Sequence, residues 1–89
     1  MRNFGLSDLA AIAQISPNYF AIQFKRATGM APHQYLIRQR IERSKELLVR
    51  ENLPIAEVAY QVGFAHQSHF TRHFKRLVGV TPKQFLMQQ

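Results

Sequence analysis

Two stretches of this 89-residue chain set cations among phenylalanines at helical spacing: Phe20 to Arg26 and Phe70 to Arg76. At about 100° per residue, each Phe pair falls on one side of a helix. The opposite side holds Asn18, Ile22 and Lys25 in the first stretch, flanked by Pro17 and Ala21. In the second it holds Ser68, Arg72 and Lys75, flanked by Gln67 and Thr71, with His69 at the edge. Such faces carry the chemistry of duplex recognition. The Arg72 guanidinium can bond guanine O6 and N7 together, and Asn18 or Gln67 can pair with adenine. Ser68 and Thr71 have short reach, His69 can meet a base or the backbone, and Ile22 beside Ala21 suits a thymine methyl. Lys25, Arg26, Lys75 and Arg76 close the two helices, where they meet phosphate or complement the helix C-terminus. Helix starts at Ser16-Pro17-Asn18 and at His66-Gln67-Ser68 offer backbone N–H groups to phosphate. Arg38, Arg40 and Arg43 are weaker phosphate candidates, Arg40 being kept as the representative.

Other chemistries fit less well. His66, His69 and His73 stand at i, i+3 and i+7, but the residues between His69 and His73 are Phe, Thr and Arg. The glutamate of a helical zinc-protease motif is absent, and a cation among the ligands opposes a metal ion. No metal and no cofactor is expected. No paired carboxylates, Gly-rich phosphate loop or nucleophile with a positioned base occurs, so the chain is expected not to be an enzyme. Phe20, Phe24, Phe70 and Phe74 are read as core rather than base-stacking aromatics, because they recur at i,i+4.

The elements that position these faces come from a duplication. Residues 24–36 align with residues 74–86 at an offset of 50, with seven of thirteen positions identical: Phe, Lys, Arg, Gly, Pro, Gln and Leu. Phe20 and Phe70 extend the match. Further back the offset becomes 49, pairing Leu9-Ala10 with Val58-Ala59 and Ile15 with Phe64. Each copy reads as helix, tight turn, helix. In the first, Ser7 caps a short helix with Leu9, Ile12 and Ala13 inward. Ser16 then caps a second, with Pro17 at its first position, a stripe of Phe20, Phe24 and Ala27, and Gly29 as a left-handed stop. In the second, Pro54 opens a helix with Ile55, Val58, Ala59 and Val62 inward, and Gly63 makes the turn. Phe70, Phe74 and Leu77 repeat the stripe before Gly79. Two helices joined by a 3–4-residue turn are a helix-turn-helix.

Between the copies, Pro32 starts a helix expected to reach about Arg50. Tyr35, Leu36, Ile37, Ile41, Leu47 and Leu48 are its apolar residues, and Arg38, Arg40, Arg43, Lys45 and Arg50 lie on its wetter side. Glu46 faces Arg50 at i,i+4 and Glu42 at the same spacing with like sign. A helix of that length spans roughly 28 Å, near the ~34 Å between successive major-groove faces of B-DNA. The expected fold is all-α: two helix-turn-helix subdomains, 1–31 and 53–89, joined by a long linker helix, 32–52.

Composition agrees with an anionic partner. Twelve Lys or Arg against five Asp or Glu leave a formal charge of +7. The excess is spread, +2 over residues 1–36, +2 over 37–52 and +3 over 53–89, so it decorates folded helices rather than a disordered arm. Zero Cys excludes disulfides and thiolate zinc sites. No apolar run approaches membrane-spanning length and no signal peptide is recognised, which places the chain in the cytoplasm. A basic helical module on an anionic membrane surface or an acidic protein is the competing reading. Membrane adhesion, however, has no use for two turn-linked helix pairs with equivalent outward faces.

The chain resembles the DNA-binding domain of AraC/XylS-family bacterial transcription regulators from about Leu6 to Leu86. The resemblance is carried by Ile55-Ala56-Glu57-Val58-Ala59, Val62-Gly63-Phe64, Ser68-His69-Phe70, Arg72-His73-Phe74-Lys75-Arg76, Gly79 and Thr81-Pro82. It implies two recognition helices in adjacent major grooves of double-stranded DNA, often with bending, and a surface for RNA polymerase as expected of an activator. It points to the same outward positions as the helical wheel. Family domains usually have a further helix before the first unit, where only Met1 to Gly5 stand here, and commonly a separate effector-sensing or dimerisation domain. The chain is therefore expected to be a fragment whose effector-binding or dimerisation domain lies elsewhere, with a short stand-alone regulator as the alternative. Ser44 occupies an inward position on the linker helix where alanine is more usual.

Overall fold

The computed structural model describes residues 16–89, and all regular secondary structure among them is helical. The expected cap at Ser7, the helix with Leu9, Ile12 and Ala13, and the upstream repeat partners Leu9, Ala10 and Ile15 lie outside the described residues. Five helices follow in order: α1 (Pro17–Thr28), α2 (Pro32–Arg50), α3 (Ile55–Gln61), α4 (Gln67–Val78) and α5 (Pro82–Met87). The chain divides into two compact units at Ile37/Arg38, within α2.

In the unit ending at Ile37, local signals set the limits of α1. Ser16 Oγ accepts from the Tyr19 N–H at 3.1 Å, Pro17 stands at the first helical position, and Gly29 stops the helix at φ 76°. The Gly29 N–H closes on the Lys25 carbonyl at 2.8 Å. Thr28 Oγ1 donates to the Phe24 carbonyl at 2.8 Å and accepts from the Met30 N–H at 3.2 Å, tightening the exit turn. The Phe20 and Phe24 rings lie 5.7 Å apart, tilted by 35°, and Phe24 meets Tyr35 edge-on at 5.4 Å and 68°. Both phenylalanines are only half-buried, and Ala27 is exposed rather than part of the stripe. Leu77, its repeat partner with a longer side chain, is half-buried.

In the unit from Arg38 onward the core side chains come from three helices and the turn between two of them. Ile41, Leu47 and Leu48 of α2 are buried, as are Val58 and Ala59 of α3, Val62 and Phe64 of the turn, and Phe70 and Phe74 of α4. Ser44 is fully buried, and its Oγ donates to the Ile41 carbonyl at 2.6 Å. That bond satisfies a hydroxyl that would otherwise be costly to bury. The α3–α4 turn is closed by the Gly63 N–H on the Tyr60 carbonyl at 3.0 Å and the Phe64 N–H on the Ala59 carbonyl at 2.9 Å. Thr81 and Gln84 form a reciprocal capping box at the start of α5.

On α2, Tyr35 is 41% exposed, so only part of its ring joins the apolar side. Glu46 pairs with Arg43 at 3.1 Å rather than reaching Arg50, and Glu42 pairs with Lys45 at 3.1 Å. Both pairs are i,i+3. Neither carboxylate remains as free negative charge on this helix.

Candidate nucleic-acid interface

The candidate face on α4 rests on its buried side. With Phe70 and Phe74 at 0% exposure, the helix has no rotational freedom, and Gln67, Ser68, His69, Arg72, Lys75 and Arg76 are left exposed. Thr71 is half-buried at the margin. His66, the N-cap, makes no side-chain cap bond, so the N–H groups of Gln67, Ser68 and His69 have no intrahelical acceptor. The rings of His66 and His69 meet edge-on at 5.4 Å. His73 is half-buried against Phe64 at 5.7 Å, with Arg76 bonded to its Nδ1 at 3.0 Å. The three histidines thus divide between two surroundings. Among the described residues no group of side chains is placed to hold a metal ion.

On α1, Asn18 is exposed, Ile22 is 47% exposed and Ala21 is half-buried. Lys25 and Arg26 are exposed in the last turn. Ser16 and Pro17 stand at the helix start, both exposed. Their contribution differs from that of His66. Ser16 Oγ already holds the Tyr19 N–H and Pro17 has no N–H, so Asn18 carries the one open donor of this first turn.

Arg40 is half-buried, and burial pushes its guanidinium below the ordinary arginine value. It still carries its charge at neutral pH, since arginine starts so far above neutrality.

Electrostatically the two faces share a property that bulk charge does not reveal. Neither α1 nor α4 contains an Asp or Glu, whereas α4 carries Arg72, Lys75 and Arg76 and α1 carries Lys25 and Arg26. Two of the acids stand on α2, paired with its own cations. The net positive charge therefore reaches solvent undiluted on the two helices with open polar faces.

Two residues were not singled out by sequence reasoning as interface groups. Tyr19 is 55% exposed on α1 and is the repeat partner of His69, which the 50-residue offset could have revealed. His73 drew attention only as a metal ligand, although its i,i+3 spacing to Arg76 marks a side-chain pair.

A helix-turn-helix of α3 and α4, with the second helix presenting an acid-free polar face, defines a class of small basic recognition domain. Comparison with known proteins places it more narrowly. Residues 9–88 match the family model of a helix-turn-helix domain. The chain is similar to the transcriptional regulator LumQ of Photobacterium leiognathi, 32% identical over 71 residues, covering 80% of this chain and 29% of that protein. It is 36% identical over 67 residues to an AraC-like transcription regulator of Streptomyces lividans, covering 75% of this chain and 22% of the relative. Among solved structures, it resembles the DNA-binding domain of the global transcriptional factor AdpA in complex with a target DNA. There the TM-score is 0.91 at 33% identity, over 98% of this chain and 78% of that one. The chain belongs to the AraC-type helix-turn-helix family. It spans less than a third of the length of the curated relatives it matches, and those relatives are transcription regulators rather than enzymes. No helix among the described residues is long and apolar enough to cross a membrane.

Proposed function

We propose that this chain binds double-stranded DNA in a sequence-specific manner, as the DNA-binding part of a bacterial transcription regulator working in the cytoplasm. The observation that carries this reading is the duplicated helix, α1 and α4, each with an acid-free outward face behind a Phe pair. The likeness to a domain whose structure contains its target DNA supports it. Subdomains 1–31 and 53–89 each place one helix, α1 or α4, in adjacent major grooves, with residues 32–52 between them.

Phosphate contacts supply most of the affinity, and base contacts supply the register. Arg72 reads guanine, Gln67 and Asn18 read adenine, and Ile22 beside Ala21 meets a thymine methyl. Ser68, His69 and Thr71 add short-range contacts. Lys25, Arg26, Lys75, Arg76 and Arg40 meet phosphates, as do the helix starts at Ser16, Pro17 and His66. Pro17 contributes only by shape, because it lacks a donor. RNA polymerase as a further partner, in activation, and an effector-binding or dimerisation domain elsewhere in the protein follow from the family.

Selection of bound sites from random duplexes, run beside binding to anionic vesicles over a salt series, tests the proposal. A preferred sequence with salt-dependent affinity is expected. Equal binding to every duplex, or preference for vesicles, would favour the competing reading of a generic basic module.

A further inference from the structure

Arg76 is exposed in the last turn of α4, and its Nη2 lies 3.0 Å from His73 Nδ1. A guanidinium has donors and no acceptor, so in this contact Nδ1 is the acceptor. The imidazole is itself held. It is half-buried, with its ring 5.7 Å from Phe64 and tilted by 33°. Phe64 in turn lies 5.6 Å from the fully buried Phe70. The orientation of the acceptor is therefore set by the α3–α4 turn and the core beneath it, and the acceptor restrains a long side chain that would otherwise sample many rotamers. One Arg76 donor is spent on His73, and the guanidinium keeps further donors on an exposed residue. The first copy has no such arrangement: Gln23 stands at the equivalent position and no hydrogen bond joins it to Arg26.

We propose that His73 is a positioning residue for DNA binding. Its Nδ1 presents the Arg76 guanidinium, already oriented, to a phosphate beside the groove that α4 enters. This inference rests on the reading of the chain as a DNA-binding domain. A pre-oriented fork loses less conformational freedom on meeting a phosphate than a mobile one. The pairing also favours α4 over α1 as the better-anchored recognition helix.

The test uses the whole 89-residue chain and its selected duplex, with His73→Leu, His73→Gln, Arg76→Ala and the double variant His73→Leu/Arg76→Ala. His73→Leu fills the space against Phe64 but offers no acceptor, whereas His73→Gln supplies an amide oxygen. Leu is expected to weaken binding by about two- to tenfold, the range of one hydrogen bond. Gln is expected to restore most of that loss, and Leu is expected to cost nothing further once Arg76 is Ala. An equal loss from Leu in both Arg76 backgrounds would show a merely structural role and overturn the proposal. So would unchanged affinity in Arg76→Ala, while a duplex preference retained by that variant leaves the DNA-binding reading standing. Long-range proton–nitrogen NMR of the unsubstituted chain at neutral pH supplies a check that needs no variant. The Nε2–H tautomer is expected at His73, and a proton on Nδ1 would overturn the proposal.

Discussion

The Phe74 ring meets Phe85 edge-on, 5.5 Å between centroids and 72° between planes. Fifty residues earlier, Phe24 meets Tyr35 at 5.4 Å and 68°. Each pair spans a left-handed glycine, Gly79 or Gly29, that returns the chain so that the next helix starts against the last. The duplication is thus one of geometry as well as of sequence, and it gives α1 and α4 the same exit.

The two copies differ in how deeply this pairing is set. Phe74 is fully buried, whereas Phe24 keeps part of its ring in water. Phe74→Ala is expected to cost about 3–5 kcal/mol of stability. Phe24→Ala is expected to cost distinctly less, because less apolar surface returns to water. Urea denaturation followed by circular dichroism measures both, and equal losses would contradict the difference in burial.

The start of α5 is better capped than the start of α2. Thr81 and Gln84 bond reciprocally, at 3.2 Å from the Gln84 N–H and 2.9 Å from the Thr81 N–H. The repeat partners are Ala31 and Gln34, which retain the glutamine but lack the hydroxyl. Thr81→Ala is expected to lower stability by about 0.5–2 kcal/mol. Ala31→Thr is expected to complete a second box and raise the thermal midpoint. A Thr81→Ala variant as stable as the parent would show that the box contributes nothing.

Base discrimination is expected to concentrate on α4. Arg72→Ala should relax preference at one base-pair position and cost about 1–3 kcal/mol of specific binding. Its helical content should be unchanged, since the side chain is exposed. Repeating site selection with the variant reads this directly, and an unaltered selected motif would remove Arg72 from the readout.

Lys75 is expected to behave differently. As a phosphate contact, Lys75→Ala should weaken all duplexes about equally and reduce the slope of log K against log salt by about 1. Titrations across a salt series on a selected and a scrambled duplex separate the two behaviours. A loss confined to the selected duplex would mean that Lys75 reads a base.

The limits of α1 were legible because each of their signals is local. Ser16 reaches an amide three residues ahead, Pro17 needs no hydrogen-bond partner at its place, and Gly29 adopts a left-handed turn without a Cβ penalty. The same holds for Pro32, which opens α2. The outward positions of α4 were legible as well, because the Phe70–Phe74 spacing alone orients the helix. Three features were not. Ala27 proved exposed, Glu46 chose Arg43 over Arg50, and Tyr35 kept much of its ring in solvent. Each depends on what packs against a side chain or which rotamer it adopts, and periodicity carries neither.

For the candidate interface the division is similar. Residue types and repeat spacing determined by themselves that two basic helical faces exist, where they lie along the chain and that α4 has Arg72 where α1 has Ile22. Tertiary structure alone decided that His73 turns inward to Phe64 and takes Arg76 as its partner, and that Arg40 is half-buried. Spacing along a helix states which residues are neighbours. Only the packed core decides which neighbour is held still.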